Sequence, residues 1–396
     1  MDFNNTEVAF SGKSSNDLKK SYWLFKIIGW NWLIKISPAL LNFFMAIRFP
    51  VTSIIKSTIY KQFCGGETIN ECDKTINDLG KFNVKTILDY SAEGKESEID
   101  FDANVTETIS TIKKAKTTKL IPFSVFKTTG FARFSLLEKI NAKEKLTQAE
   151  IEEFDRVKGR IDKMCGNAYE AGIPIFIDAE ETWIQNPIDD LVLDMMRKYN
   201  KEKAVVFNTI QLYRWDRLDY FKNLKTIADK ENFFIGMKLV RWAYIEKERE
   251  RAATMGYQDP MQPDKASTDR DFNASLKFCV ENINKIAFCC GTHNEASTQF
   301  LIDLMQEYHI ALDDQRVYFA QLLGMSDHIS MNLAKSGYNV TKYVPYGPVK
   351  DVIPYLIRRA EENTSLAGQT GRELALIVNE KERRKKSEDG SRKTEA

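Results

Sequence analysis

Short apolar runs rich in β-formers recur along this chain, at 84–90, 119–127, 173–178, 204–209, 233–240, 286–292, 316–321 and 340–345. Between them lie longer stretches with apolar and charged positions at helical spacing: 147–170, 187–199, 215–230, 267–282, 295–308 and 349–363. Strand–helix alternation predicts a parallel sheet, and eight rounds predict its closure into a (β/α)8 TIM-like barrel of the α/β class. An open doubly wound sheet is the alternative, but no GxGxxG follows any of the runs. The pattern divides the chain into an N-terminal helical segment over 1–83, packed on the barrel, a barrel over 84–380, and a charged, disordered tail over 381–396. Residues 128–150 exceed what a simple crossover needs and predict an insertion.

The early stretch from Trp32 to Val51 is the most apolar. Its longest uncharged piece, 36–47, is 12 residues, short of the roughly 20 needed to span a bilayer, so it reads as a packed helix, with a surface-lying membrane helix as the other reading. MDFNNTEVAF is not a signal peptide, and the expectation is a cytoplasmic protein.

Composition changes this picture little. A net charge of +1 gives no argument for nucleic acid or an acidic partner. Six cysteines without a CxxC pair read as reduced, buried thiols. Three histidines without HExxH or a His/Cys cluster argue against a zinc site, and no metal is expected.

Barrel chemistry belongs at the C-terminal ends of the strands. Those ends carry Asp89, Tyr90 and Glu93, then Lys127, Asp178 and Glu180, Gln211, Lys238 and Arg241, His293 and Asn294, Gln321, and Tyr343. Lys238 shares a strand face with Gly236 and Val240. That face points either into a crowded barrel or outward, with the lysine passing the helix layer. Tyr355, Arg358, Arg359 and Glu362 share one face of the last helix, either a solvated arginine face or a cationic site suited to a carboxylate or phosphate. The carboxylates of DAEE (178–181) suit a metal, a base or a helix cap.

The segments IDAEE (177–181), KLVRWAYIEKER (238–249), GTHNE (291–295), FAQLLGMSD (319–327) and KYVPYGPVKDVIPYLIRRAEENTS (342–365) together resemble the proline dehydrogenase family, over about residues 90–363. Lacking a second large domain, the chain is similar to the single-function branch. The resemblance implies a distorted (β/α)8 barrel that binds FAD at its mouth and oxidises L-proline to Δ1-pyrroline-5-carboxylate, with hydride passing from C5 to the flavin N5. By the same resemblance, Lys127, Arg358 and Arg359 hold the proline carboxylate, and Glu93 pairs with an arginine. Tyr244, Tyr343, Tyr355 and a leucine, taken as Leu323, pack around the ring, with Asp178 beside Tyr343. Asp178, Ala179, Gln211, Lys238, Val240, Trp242, Ala243, Lys265, Thr268, His293, Gln321 and Glu362 line FAD. Lys127, Lys238, Tyr343, Arg358 and Arg359 carry the catalytic roles. A quinone is the implied electron acceptor, and the apolar N-terminal helix or the basic tail offers transient contact with the inner face of a membrane. One departure stands out: the family reads KLVRGAY, and Trp242 replaces that glycine. An indole there crowds a flavin, which keeps open a catalytically impaired paralogue that binds FAD or proline. A barrel lyase with Lys127 or Lys238 as a Schiff base is a further alternative.

Overall fold

The computed structural model describes residues 1–28, 55–91, 96–241, 243–365 and 367–394. Eight parallel strands close into a barrel in sequential order. They are β1 (Val84–Tyr90), β2 (Phe123–Lys127), β3 (Ile175–Asp178), β4 (Val206–Gln211), β5 (Ile235–Val240), β6 (Ile286–Gly291), β7 (Val317–Leu322) and β8 (Val340–Tyr346). The closing pair β1–β8 is in register from Val84↔Val340 to Tyr90↔Tyr346. All eight apolar runs become strands, because each supplies an outward face for the helix layer and an inward face for the barrel.

The outer helices follow the predicted stretches within a few residues. Gln148–Ala171 begins at a capping box in which Thr147 and Glu150 satisfy each other's backbone N–H, and ends at left-handed Gly172. The long β2–β3 connection holds an extra helix, Phe134–Asn141. Three further helices escape the sequence pattern, Glu98–Lys116 before β2, Ile245–Met255 after β5 and Asp327–Lys335 after β7. The apolar stretch 32–51 lies outside the described residues. Around it, Ser15–Ile28 packs on a long final helix, Ala367–Thr394, through Leu18, Phe25, Leu376 and Ile377.

That final helix runs through the segment expected to be a disordered tail. The physical reason is local pairing: Arg383 and Arg384 both donate to buried Glu380, and Arg384 also donates to the Phe10 and Lys13 carbonyls.

The barrel interior has two unlike ends. At the N-terminal floor, Phe123 stacks on Phe176 at 4.4 Å, and Phe207 and Tyr318 meet Phe123 edge-on at 5.5 and 4.7 Å. Gly236 is glycine for a steric reason: a Cβ there would lie 2.5 Å from the Phe207 ring and 2.6 Å from the Val206 carbonyl. This aromatic floor fills the lower barrel, and a cavity opens at the mouth above it.

Candidate active site

Strand alternation sends Asp178 (β3), Lys238 (β5) and Tyr343 (β8) into the mouth, just above the floor. Lys238 is 5% exposed and points inward. Its Nζ donates to Asp178 Oδ1 and, at 2.6 Å, to the Tyr343 hydroxyl, which donates to the same Asp178 oxygen at 3.1 Å. The ammonium also lies 4.5 Å from the Tyr343 ring centroid. A desolvated lysine needs such compensation. Burial, with the Asp178 carboxylate beside it, pushes the Tyr343 hydroxyl far above the usual phenol range, so it stays a neutral hydrogen-bonding group.

Above this triad opens a cavity of about 290 Å³. One wall is the helix Val349–Ser365, which follows β8 through the turn at Gly347 and contributes Tyr355, Arg358 and Arg359. The Arg359 guanidinium lies 5.3 Å from the Tyr355 ring. Lys127 enters from the end of β2. Tyr244 joins them from the loop after β5, in a left-handed conformation (φ 59°, ψ 5°) uncommon for a residue with a Cβ. Burial drives its hydroxyl up in pKa, and Lys127 and Arg358 act in the opposite direction.

Of the residues expected at the site, Lys127, Asp178, Ala179, Lys238, Val240, Ala243, Tyr244, Lys265, His293, Gln321, Tyr343, Tyr355, Arg358 and Arg359 line this one cavity. Three others do not. Gln211 is turned behind the wall, donating to the Glu180 carbonyl at 2.6 Å and the Tyr213 hydroxyl at 2.9 Å. Thr268 is buried with its hydroxyl on the Asp264 carbonyl. Leu323 packs outside the barrel near Cys72 and Ile76, whereas β7 turns Ala320 and Leu322 inward and Leu322 lines the cavity. Glu93, Trp242 and the Glu362 side chain lie outside the described residues.

His293 is half-buried and, chiefly through desolvation and then through nearby Lys342 and Arg359, its pKa falls to about 3. It is therefore a neutral imidazole at physiological pH, with Nδ1 2.9 Å from Ser326 Oγ. Gln321 donates to the Thr292 carbonyl and accepts from Ser330.

Two residues at this mouth were not singled out as ligands from the sequence. Arg241, directly after β5, stacks 3.8 Å from the Phe272 ring and pairs through Nη1 with Asp269, which also pairs with Lys265. Among the described residues its buried Nε and Nη2 have no hydrogen-bond partner. A buried, unsatisfied donor pair beside a cavity suits a phosphate or carboxylate. The signal was present in the sequence, since Asp269 closes the KASTD segment that carries Lys265. Glu180, the second, is buried. Its carboxyl is pushed up to about 7, mainly by desolvation, and accepts from Thr129. No group of three or more potential metal ligands occurs among the described residues, and all six cysteines are buried free thiols.

Comparison with known proteins bears on this geometry. The family model for proline dehydrogenase matches residues 72–372. The chain is 31% identical over 428 aligned positions to mitochondrial proline dehydrogenase 1 of Dictyostelium discoideum, covering 96% of this chain and 74% of that protein. It is 32% identical to the carbapenem antibiotics biosynthesis protein CarD of Pectobacterium carotovorum, covering 83% of this chain and 85% of that one. Among solved structures, proline utilization A of Bdellovibrio bacteriovorus superimposes with a TM-score of 0.72 at 19% identity, over 91% of this chain and 38% of that longer one. This last likeness speaks for the fold.

Proposed function

The chain belongs to the proline dehydrogenase family, and from that premise we propose that its mouth cavity oxidises L-proline to Δ1-pyrroline-5-carboxylate with FAD as the bound cofactor. The observation that carries the reading is the convergence of Lys127, Arg358 and Arg359 on one small cavity above the Asp178–Lys238–Tyr343 triad.

The residues present fit a flavin. Arg241 carries unsatisfied donors that suit an anionic portion, and Val240, Ala243, Leu322 and Met325 offer apolar contact for a flat ring system. When bound, FAD supplies the acceptor for the hydride that leaves proline C5. The chain's own residues prepare that event. Arg358, Arg359 and Lys127 supply fixed countercharge for the substrate carboxylate, and guanidinium groups do so through paired hydrogen bonds. Tyr355 and Tyr244 limit the space beside the carboxylate to one small ring. Orientation of this kind removes much of the entropic part of the barrier. With FAD bound in this cavity, Lys238 would supply a fixed positive charge toward the acceptor as it gains negative charge, the kind of preorganised stabilisation that contributes most when desolvated. Its commitment to Asp178 and Tyr343 disfavours the Schiff-base lyase, which needs a free amine.

The electron acceptor beyond the flavin is proposed to be a membrane quinone. No helix among the described residues is long and apolar enough to cross a bilayer. A peripheral contact is supported by the helix Ser15–Ile28, which exposes Lys19, Lys20, Trp23, Lys26 and Ile27, a basic and aromatic face suited to an anionic lipid surface. Flotation with quinone-loaded anionic liposomes at low salt checks this; protein left at the bottom of the gradient contradicts it.

The test of the activity is the visible spectrum of the purified protein before and after anaerobic L-proline. The expected result is a flavin band that bleaches. A yellow protein that keeps its band supports the impaired paralogue instead, and a colourless protein that does not take up added FAD removes the flavin reading.

A further inference from the structure

We infer that Glu373, on the helix beyond the barrel, is a positioning residue that holds His293 at the cofactor wall through Ser326. The helix Ala367–Thr394 buries Glu373, Leu376, Ile377 and Glu380, one helical face directed at the rest of the protein. Glu373 is 3% exposed, and its Oε1 accepts the backbone N–H of Ser326 at 2.5 Å. Ser326 follows β7 in a left-handed conformation (φ 51°, ψ 42°). That conformation disfavours any residue with a Cβ, so it persists only where surroundings hold it. The same residue's Oγ is the partner of His293 Nδ1.

The next residue is anchored as firmly. Asp327 accepts from Lys13 at 2.7 Å and from Lys342 at 3.0 Å, and Lys342 is fully buried. Segments from before the barrel, from β8 and from after the barrel thus converge on residues 326–327. Lys13 and Glu373 both fall outside the 72–372 span of the family match, so this clamp is built from the chain's own flanks. Its direction is Glu373 to Ser326 backbone, Ser326 hydroxyl to His293, and His293 to the cavity. A strained turn that presents a side chain to a ligand wall is a place where remote support sets local geometry.

The inference rests on the reading of His293 as part of the cofactor wall, and the experiment separates the two. Hydrogen exchange at Ser326 is measured in the purified holoprotein and in Glu373→Ala, and flavin dissociation constants are measured by FAD titration of apoprotein for Glu373→Ala, Glu373→Gln, Ser326→Gly, His293→Ala and the Glu373→Ala/His293→Ala double variant. Ser326→Gly tolerates the left-handed turn, keeps the amide and removes the hydroxymethyl side chain that reaches His293, so it guards against a folding failure of Glu373→Ala. The expected results are at least ~10-fold faster exchange at Ser326 in Glu373→Ala with the strands unaffected, and about 10-fold weaker FAD binding in Glu373→Ala, Ser326→Gly and His293→Ala. Glu373→Gln, which retains an acceptor, restores most of the affinity, and the double variant is no weaker than His293→Ala alone. Unchanged exchange at Ser326, or penalties that add in full, overturns the inference even if FAD binds. Wild-type apoprotein that takes up no FAD, with exchange at Ser326 still accelerated, refutes the cofactor reading and leaves the clamp standing.

Discussion

Of the lysines that point toward the barrel interior, Lys85 and Lys238 lie at opposite ends, and their surroundings differ. Lys85, on β1 at the floor, is half-buried. It donates to the Asn339 amide oxygen at 3.1 Å and sits 5.2 Å from the Tyr318 ring, and burial pushes its amine down in pKa. Lys238, on β5 at the mouth, meets a carboxylate and a phenol and borders an open cavity. The floor uses the inward face for packing, with four aromatic rings and a glycine that makes room for one of them. The mouth uses the same face for charge. An inward lysine alone therefore says little about chemistry; an anionic partner beside ligand space distinguishes the functional one.

The contrast is broken most strongly at the mouth. Lys238→Met is expected to lower kcat by about 100- to 1,000-fold, the scale of losing a preorganised charge, and to destabilise the fold by about 3–5 kcal/mol through the unpaired Asp178. Stopped-flow flavin reduction and urea unfolding measure the two effects. Arg358→Met or Arg359→Met is expected to raise KM for proline by about 10- to 150-fold, on the basis of ~1.5–3 kcal/mol for a hydrogen bond to a charged group, with FAD retained. Unchanged proline kinetics in both variants removes these arginines from the site.

The floor answers in stability instead. Gly236→Ala forces Phe207 to shift and should cost about 1–3 kcal/mol in urea unfolding, with kcat/KM altered less than threefold (a rough bound) if the floor is packing only. Lys85→Met should leave turnover unchanged and stability within about 1 kcal/mol; a large fall in kcat would erase the distinction between the ends.

The smallest effect concerns Glu180. Its carboxyl titrates near 7 in the folded protein against 4.5 as a free side chain. Between those values the folded state binds the extra proton, so this group makes stability fall as pH rises from about 4.5 to 7. Glu180→Gln should flatten that part of the stability curve in urea unfolding at a series of pH values; an unchanged slope places the titration elsewhere.

The barrel was legible because its strands are short apolar runs with long helical stretches between them, and β1 falls on 84–90 as read. What stayed hidden had specific causes. Glu98–Lys116 buries Asn104, Thr108 and Thr111 on its inner face, which dilutes the apolar period. Ile245–Met255 buries only Ile245, Glu248 and Ala252, and Glu248 spends its carboxylate on the N-terminus of the helix Thr182–Tyr199. In β7, apolar residues occupy both faces, so choosing between Leu322 and Leu323 needed the strand's phase in three dimensions. Strand ends in a barrel converge whatever their distance in sequence, which is why Lys127, Asp178, Lys238, Gln321 and Tyr343 could be read together and line one cavity, whereas Tyr244, Lys265, Tyr355, Arg358 and Arg359 came to the site from the family resemblance. The unsatisfied donors of Arg241 and the reach of Glu373 depend on neighbours far along the chain, which no local pattern records.

The most direct test of the cationic wall compares L-proline with L-prolinamide as reductants of the wild-type protein under anaerobic conditions. The two differ in the carboxylate that Lys127, Arg358 and Arg359 are placed to hold. The expected outcome is flavin reduction by prolinamide at least ~100-fold less efficient than by proline, in line with losing charge-assisted hydrogen bonds. Equal efficiency for the two would show that the carboxylate is not what these side chains grip, and would contradict the account.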